Sequence, residues 1–298
     1  MKAGFVSLIG RPNAGKSTLL NRFAGQKLAI VSDKPQTTRH RIVGVRNSPD
    51  GQIVFIDTPG IHKPMHRMNR RMVDTATETL REVDVAVLVV DVTTPPGAGD
   101  RFVLDLVRAA EPKTVLALNK VDRIRKTDLL PLINQYAKSA DFAAIVPVSA
   151  FTGDGVDRLG QEILAALPES EALYPEDYLT DQTERTLAGE LIREKVLRHT
   201  RDELPYTTGV VIEQFEEPQR QGGLTKIHAA ILVESESQKP IVVGKGGEMI
   251  KRIGTEARQD LEEMLGGRVF LDLHVKVRED WRDNERILDE MGLGRRSS

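Results

Sequence analysis

Residues 7–20 read SLIGRPNAGKSTLL. An apolar run, Phe5–Ile9, has the character of a buried strand, and a helical pattern begins with Leu19–Phe23. Between them, Gly10-Arg11-Pro12-Asn13-Ala14-Gly15-Lys16-Ser17 fits the spacing G-x-x-x-x-G-K-[ST]. The glycines let the backbone wrap around phosphates, so that several N–H groups of the stretch from Gly10 to Thr18 point inward, and the helix N-terminus adds positive potential. Lys16 would neutralise β- and γ-phosphate charge, and the Ser17 hydroxyl would hold Mg²⁺.

The pattern around this stretch is a succession of crossover units. Further buried strands are expected at Ile53–Ile56, Val85–Val90, Val115–Leu118 and Ile145–Val148, with helices at Met68–Val83, Arg101–Val107 and Val156–Leu167. Strands alternating with helices imply an α/β domain with a mostly parallel sheet, whose ligands sit beyond the carboxyl ends of the strands.

Two later strand ends carry the rest of the chemistry. Asn119-Lys120-Val121-Asp122 follows the strand Val115–Leu118. The Asp122 carboxylate can accept two hydrogen bonds from guanine N1–H and its 2-amino group, whereas adenine offers no such pair and would leave the charge unpaired. Asn119 can bond the base and neighbouring loops, and the Lys120 stem can lie over the ring. Asp57-Thr58-Pro59-Gly60 follows the strand Ile53–Ile56; Asp57 would reach Mg²⁺ through water, and the Gly60 N–H would sense a γ-phosphate. Within SDKPQTTRHR, residues 32–41, a threonine can complete the Mg²⁺ shell, and Thr38 is favoured over Thr37. Ser149-Ala150, ending the last strand, can present an N–H to guanine O6.

In this order and spacing these stretches resemble the Ras-like P-loop GTPases. The resemblance implies GTP/GDP and Mg²⁺ as ligands and gives Lys16, Thr38, Asp57 and Gly60 the catalytic positions. It also admits a potassium ion beside Asn13. One departure is Ile61, where such switches carry a glutamine that orients water, so slow intrinsic hydrolysis is expected.

The alternation stops near Leu167. The prolines and carboxylates of PESEALYPEDYLTDQTE, residues 168–184, read as a linker, so the domains are expected at 1–168 and 181–298 with 169–180 between them. The second domain begins with a helix over about 181–203. The strands Val210–Phe215 and Thr225–Val233 follow, then a helix carrying Ile250, Ile253, Ala257, Leu261 and Leu265, then the strand Val269–Val277. Ahead of that last helix stands Gly244-Lys245-Gly246-Gly247. The hydroxyl residue that should follow the lysine of a second nucleotide loop is missing, and Glu248 puts a carboxylate where a phosphate pocket would want none, so a clamp on a nucleic-acid backbone is the better reading. This α+β order resembles a type II KH domain, which implies binding of about four single-stranded nucleotides, RNA preferred and DNA also fitting. From Asp181 onward acidic residues outnumber basic ones, yet Lys245, Lys251, Arg252 and Arg258 outnumber Glu248 and Glu256 around the loop. The expected polyanion contact is therefore a local patch.

Composition bounds the rest. The chain has 298 residues, 29% charged and 40% apolar, a net charge of −2 and no cysteine. It is long enough for two cores, lacks thiolate sites and disulfides, and has no run of about 20 apolar residues to span a bilayer. A cytoplasmic monomer is expected. His62 and His66 read as solvent-facing rather than metal-binding. Trp281 reads as a packing anchor, and Arg295 and Arg296 as part of a tail able to touch phosphate or anionic lipid.

A GTPase domain followed directly by a KH-type domain resembles the Era-like bacterial GTPases along essentially the whole chain. That resemblance implies a GTP-hydrolysing factor of small ribosomal subunit assembly that binds the 3′ end of small-subunit rRNA, with peripheral inner-membrane association. A membrane-surface GTPase whose second domain binds anionic lipid is the alternative, and a P-loop ATPase or nucleoside kinase a further one. The absence of a long basic amphipathic helix speaks against the lipid reading.

Overall fold

The computed structural model describes residues 1–291 and 293, apart from 33, 35, 36, 40, 61–65, 202, 203, 219, 221 and 222. It forms two compact units, Met1–Met65 with Asn69–Asp181, and His66–Met68 with Gln182–Ser298.

The first unit runs β1 (Lys2–Ile9), α1 (Lys16–Ala24), β2 (Ile42–Ser48), β3 (Gly51–Asp57), α2 (Arg67–Glu82), β4 (Val85–Asp91), α3 (Ala98–Ala110), β5 (Lys113–Asn119), α4 (Lys126–Ala137), β6 (Ala144–Val148) and α5 (Val156–Ala166). Its sheet has the order β2-β3-β1-β4-β5-β6. All neighbours are parallel except β2 and β3, which pair antiparallel. The central strands are apolar throughout because both faces are covered. Val85, Val87 and Val89 join a core with Leu19, Phe23 and Leu159, while Ala86, Leu88 and Val90 join the opposite one with Leu80, Val103 and Val107. Side chains alternate across the pleat, so one strand feeds two cores.

Two elements go beyond the sequence pattern. β2 carries Gly44, where a Cβ would come within 2.8 Å of Leu20 and 2.9 Å of Leu28. The glycine marks close packing under an edge strand rather than a loop. α4 contains Pro131, which reads as a breaker because it removes one intrahelical donor, yet the helix continues through it and buries Tyr136.

Residues 169–180, expected to be a linker, lie along β2 and β3 of the first unit. The Val45 N–H donates to Leu179 O at 3.0 Å, and the Val43 N–H to Asp181 Oδ1 at 3.2 Å. The buried Gln52 accepts from the Leu173 and Tyr174 N–H groups and donates to Tyr174 O. Tyr174 and Tyr178 stack at 4.5 Å and pack on Val43, Val45, Val54 and Ile56. This strap covers a sheet edge whose backbone would otherwise be open to another chain.

The second unit runs α6 (Glu184–His199), α7 (Leu204–Thr207), β7 (Gly209–Glu216), β8 (Leu224–Val233), α8 (Lys239–Val243), α9 (Glu248–Leu265), β9 (Arg268–Val277) and α10 (Glu285–Glu290). β8 lies between β7, antiparallel to it, and β9, parallel to it. α6 is capped by the Thr183 hydroxyl, which accepts from the Thr186 N–H. Ile192 and Val196 of α6 and Ile253, Ala257 and Leu261 of α9 cover one face of this sheet. Trp281 is fully buried, and its Nε1–H donates to Thr207 O at 2.8 Å, so it serves packing as expected. A fold in which a mostly parallel α/β domain precedes an α+β domain follows the expectation.

Candidate functional site

The glycine-rich stretch leaves β1 and returns as the first turn of α1. Asn13 has φ 63° and Gly15 φ 96°, and at Gly15 a Cβ would stand 2.2 Å from Asn119 Nδ2. At Gly10 a Cβ would meet Val89 O at 2.3 Å. Only glycine admits these approaches. The loop curls so that the buried Lys16 ammonium donates to the carbonyls of Gly10 and Arg11 at 3.2 Å each.

The charges at the foot of the loop are held together by burial. The Ser17 hydroxyl donates to Asp57 Oδ2 at 2.8 Å and lies 2.6 Å from Thr38 Oγ1, which donates to the same carboxylate oxygen at 3.2 Å. Asp57 is fully buried, and its Oδ1 has no hydrogen-bond partner among the described residues. Burial pushes its carboxyl above the usual carboxylate range, against the pull of Lys16 and the hydrogen bonds. Burial likewise lowers the Lys16 ammonium, with Asp57 partly opposing. An unpaired buried oxygen beside two hydroxyls is a costly arrangement for the protein alone. It is also a hard-oxygen set of the kind that shares Mg²⁺ with phosphate oxygens and water, so these residues fit the ion. Of the two threonines, Thr38 stands in this cluster, while the Thr37 hydroxyl donates to Lys34 O at 2.6 Å. Gly60 packs on the loop, where a Cβ would come 2.8 Å from Pro12 Cα.

The opposite end is built from β5 and the turn after β6. Asn119, 1% exposed, donates from Nδ2 to Ala14 O at 2.8 Å and accepts the Ala150 N–H on Oδ1 at 2.9 Å. One side chain thus ties the phosphate-loop backbone to the last strand. Lys120, at φ 70°, sends its ammonium to Asp91 Oδ2 at 2.5 Å. Burial alone would raise Asp91, but the bonds from Lys120 and Thr93 outweigh it and hold its carboxyl below the usual range. Asp122 is exposed, and its Oδ1 accepts the Ser149 hydroxyl at 2.6 Å.

These two ends bound one cavity of about 480 Å³. Of the expected residues, Pro12, Asn13, Gly15 to Thr18, Thr38, Gly60, Asn119, Lys120, Asp122 and Ala150 line it. Gly10, Arg11, Ala14, Asp57 and Ser149 are not in its lining. Arg11 turns away to Asp100 Oδ2 at 2.9 Å, at the start of α3. The N–H groups expected to face guanine O6 are occupied: Ala150 donates to Asn119, and Ser149 to Asp154 O at 2.8 Å. Sequence reasoning missed Ile30, Val31, Arg123 and Phe151 in the lining. No motif marks them, because what brings them to the cavity is loop geometry. Ile61, His62, Arg295 and Arg296 lie outside the described residues.

In the second unit, Gly244, Gly246 and Gly247 take φ of 75°, 60° and 81° between α8 and α9. At Gly244 a Cβ would clash with Met249 Cβ at 2.6 Å; the other two face open space and need glycine for their conformation alone. Beside the loop is a groove of about 400 Å³ between α9 and β9. Lys251 and Arg258 line it together with Ile250, Gly254 and Phe270, and Lys245 is exposed on the loop. Arg252 departs from the expected patch: it is not in the lining, and its Nε donates to Glu256 Oε1 at 3.3 Å. Phe270, 48% exposed, joins this surface without any sequence signal to mark it.

Both domains have counterparts among known proteins. Residues 5–120 match the family model of 50S ribosome-binding GTPases, and residues 203–282 match the KH domain model. GTPase Era of Geobacter metallireducens is 50% identical over 291 residues, covering 98% of this chain and 97% of that protein. GTPase Era of Heliobacterium modesticaldum is 46% identical over 293 residues, covering 98% and 97%. Among solved structures, Era in complex with MgGDPNP and nucleotides 1506–1542 of 16S ribosomal RNA superposes with a TM-score of 0.95 at 39% identity, covering 99% of this chain and 100% of that one. An Aquifex aeolicus Era variant bound to GDP and AlF4⁻ gives a TM-score of 0.94, also at 39% identity with 99% and 100% covered. With a phosphate loop, a guanine-type strand end and a G-x-x-G turn in one chain that aligns with these relatives nearly end to end, the protein belongs to the Era family of GTPases.

Proposed function

We propose that the protein hydrolyses GTP to GDP and phosphate and uses the nucleotide state to control binding of small-subunit rRNA at its 3′ end during small ribosomal subunit assembly. The observation that carries this reading is the cavity with opposed ends. One end offers the buried Asp57 carboxylate with hydroxyls from Ser17 and Thr38, and the other offers the exposed Asp122 carboxylate.

The triphosphate lies along N–H groups of the loop and first helical turn, residues 13–18, with Lys16 on the β- and γ-phosphates. Ser17, Thr38 and Asp57 would hold Mg²⁺, which would supply positive charge against the phosphates. Lys16 leaves its two carbonyl partners for phosphate oxygens. The Gly60 N–H reports the γ-phosphate. Asp122 accepts from guanine N1–H and the 2-amino group, while Asn119 keeps the two loops at fixed separation. With isoleucine at position 61, orientation of the attacking water falls to another group, to a potassium ion beside Asn13, or to a partner.

The loop Gly244 to Gly247, with Lys245, Lys251 and Arg258, clamps single-stranded RNA, and the groove between α9 and β9 takes the bases. The related Era structure with nucleotides of 16S rRNA supports this RNA over the large-subunit partner named in the family model, since it aligns over both domains. No helix among the described residues is long and apolar enough to cross a membrane. If RNA prefers one nucleotide state, that state must prefer RNA by the same factor. The test is binding of a 16S 3′-end oligonucleotide to the GDP- and GTP-analogue-loaded protein; equal affinities in both would remove the coupling.

A further inference from the structure

We propose that Asp91 and Asp100, at the two ends of the segment joining β4 to α3, are positioning residues for nucleotide binding: each holds one cation of the nucleotide loops, Asp91 the Lys120 of the base-reading turn and Asp100 the Arg11 of the phosphate loop. The inference rests on the nucleotide reading above. Neither carboxylate is in the lining of the cavity. The segment 91–100 is closed on itself at both ends. Asp91 Oδ1 accepts the Thr93 N–H at 2.9 Å and the Thr93 hydroxyl at 2.6 Å, and Pro95 and Pro96 follow with φ fixed by their rings. The Val92 N–H donates to Asn119 O at 3.1 Å, which ties the start of the segment to β5. At the far end Asp100 Oδ2 accepts the Gly97 N–H at 2.8 Å and closes the first turn of α3.

A carboxylate can accept more than the donors of its own turn. The second oxygen of Asp91 takes the Lys120 ammonium at 2.5 Å, and Asp100 Oδ2 also takes the Arg11 guanidinium at 2.9 Å. Gly99 makes room for that guanidinium, since a Cβ there would stand 2.9 Å from Arg11 Nε. The side chains of Lys120 and Asp91 are 24% and 21% exposed, so water screens their pairing less than it screens an open surface pair. Both cations sit where their order bears on the nucleotide. Lys120 takes φ 70°, and its stem is the part that lies against the base, so the hold of Asp91 on its ammonium sets the stem in place before the base arrives. The carbonyls of Gly10 and Arg11 receive the Lys16 ammonium, and the Arg11 side chain anchors that turn from outside the cavity. Lysine and arginine lose the most rotamer freedom when fixed, so a partner that fixes them beforehand removes that loss from binding.

The test is stopped-flow release of fluorescently labelled GDP from the full chain carrying Asp91→Asn or Asp100→Asn, alone and combined with Lys120→Met or Arg11→Met. Asparagine keeps the shape and an acceptor for the N–H groups of the segment but gives up the charge. Each asparagine should speed release about three- to tenfold, the size expected when one long side chain must be ordered on binding. Asp91→Asn should add nothing in a Lys120→Met background, and Asp100→Asn nothing in an Arg11→Met background. The crossed pairs, Asp91→Asn with Arg11→Met and Asp100→Asn with Lys120→Met, should multiply, because they share no partner. An aspartate that served only the fold of its own segment would speed release equally in every background. Should an asparagine variant fail to fold, the matching methionine variant, which leaves the hydrogen bonds within the segment untouched, must by itself speed release by at least the same factor. Unchanged release in either asparagine variant, or undiminished acceleration in its matching methionine background, would overturn the inference. Failure of the wild-type protein to bind GDP would instead remove the nucleotide reading on which it stands.

Discussion

Replacing Asn119 tests how the two halves of the nucleotide cavity are held in register. Its buried amide spans the phosphate loop and the turn after β6, donating to Ala14 O at 2.8 Å and accepting from the Ala150 N–H at 2.9 Å. Asn119→Ala leaves a buried carbonyl and a buried N–H without partners. Each orphaned group costs about 1–3 kcal/mol, so the pair together costs about 3 kcal/mol once partial access to water in the enlarged cavity is allowed for. Asn119→Asp separates the two contacts. Its carboxylate can still accept from Ala150 but sets a negative oxygen against Ala14 O, so it should be no more stable than the alanine variant. Amide exchange in β1 and β5 reads the first unit alone, and about 3 kcal/mol there corresponds to exchange faster by roughly 100-fold. GDP affinity should fall in both variants, since the loop and the base-reading turn lose their common tether. Exchange within threefold of wild type, together with unchanged GDP affinity, would show that the two loops hold their separation without this side chain.

Four further outcomes follow from the same geometry. Asp122→Asn should lose guanine nucleotides by about 100-fold or more, because a charged acceptor of two hydrogen bonds becomes a mixed donor and acceptor, and should gain xanthosine nucleotides; competition binding checks both. Mg²⁺ should bind less tightly as pH falls, since burial raises the Asp57 carboxyl and a proton then competes with the ion. The Mg²⁺ concentration that half-maximally slows GDP release should therefore rise on acidification in the wild type and be flat in Asp57→Asn. Gln52→Ala removes the side chain that accepts from Leu173 and Tyr174 and donates to Tyr174, so amide exchange over residues 173–179 should quicken by roughly 10–100-fold with the sheet centre unaffected. Gly246→Asp adds a negative charge at φ 60° in open space, so it should weaken RNA binding at least about tenfold and leave GDP binding unchanged.

The sequence discloses most where chemistry and covalent spacing coincide. A loop that must wrap phosphates needs Gly10 and Gly15 at fixed separation from Lys16 and Ser17, and strands covered on both faces need unbroken apolar runs such as Val85–Val90. It discloses least where a residue's role depends on what lies across from it. Nothing in the local pattern marks Gly44, on which Leu20 and Leu28 press. Pro131 hides a helix that tolerates one missing donor. The prolines and carboxylates of residues 168–181 suggest a free tether, but Tyr174 and Tyr178 have an apolar sheet edge to cover. Within the site, Asn119 and Asp122 are legible as a motif. The occupation of the Ala150 N–H by Asn119 is not, because a backbone donor carries no mark in the sequence of who accepts it. Position alone places Arg252 in the basic patch, and Glu256, one helical turn on, draws it away.

Guanine recognition depends most on a nucleotide cavity that tells purines apart by one exposed carboxylate. Titration calorimetry of the full chain with GDP and with ADP, each with Mg²⁺, tests this directly. GDP should bind at micromolar concentrations or tighter and ADP more weakly by about 1,000-fold or more, as expected when a site built for paired donors meets a base that lacks them. Equal affinities for the two would contradict it.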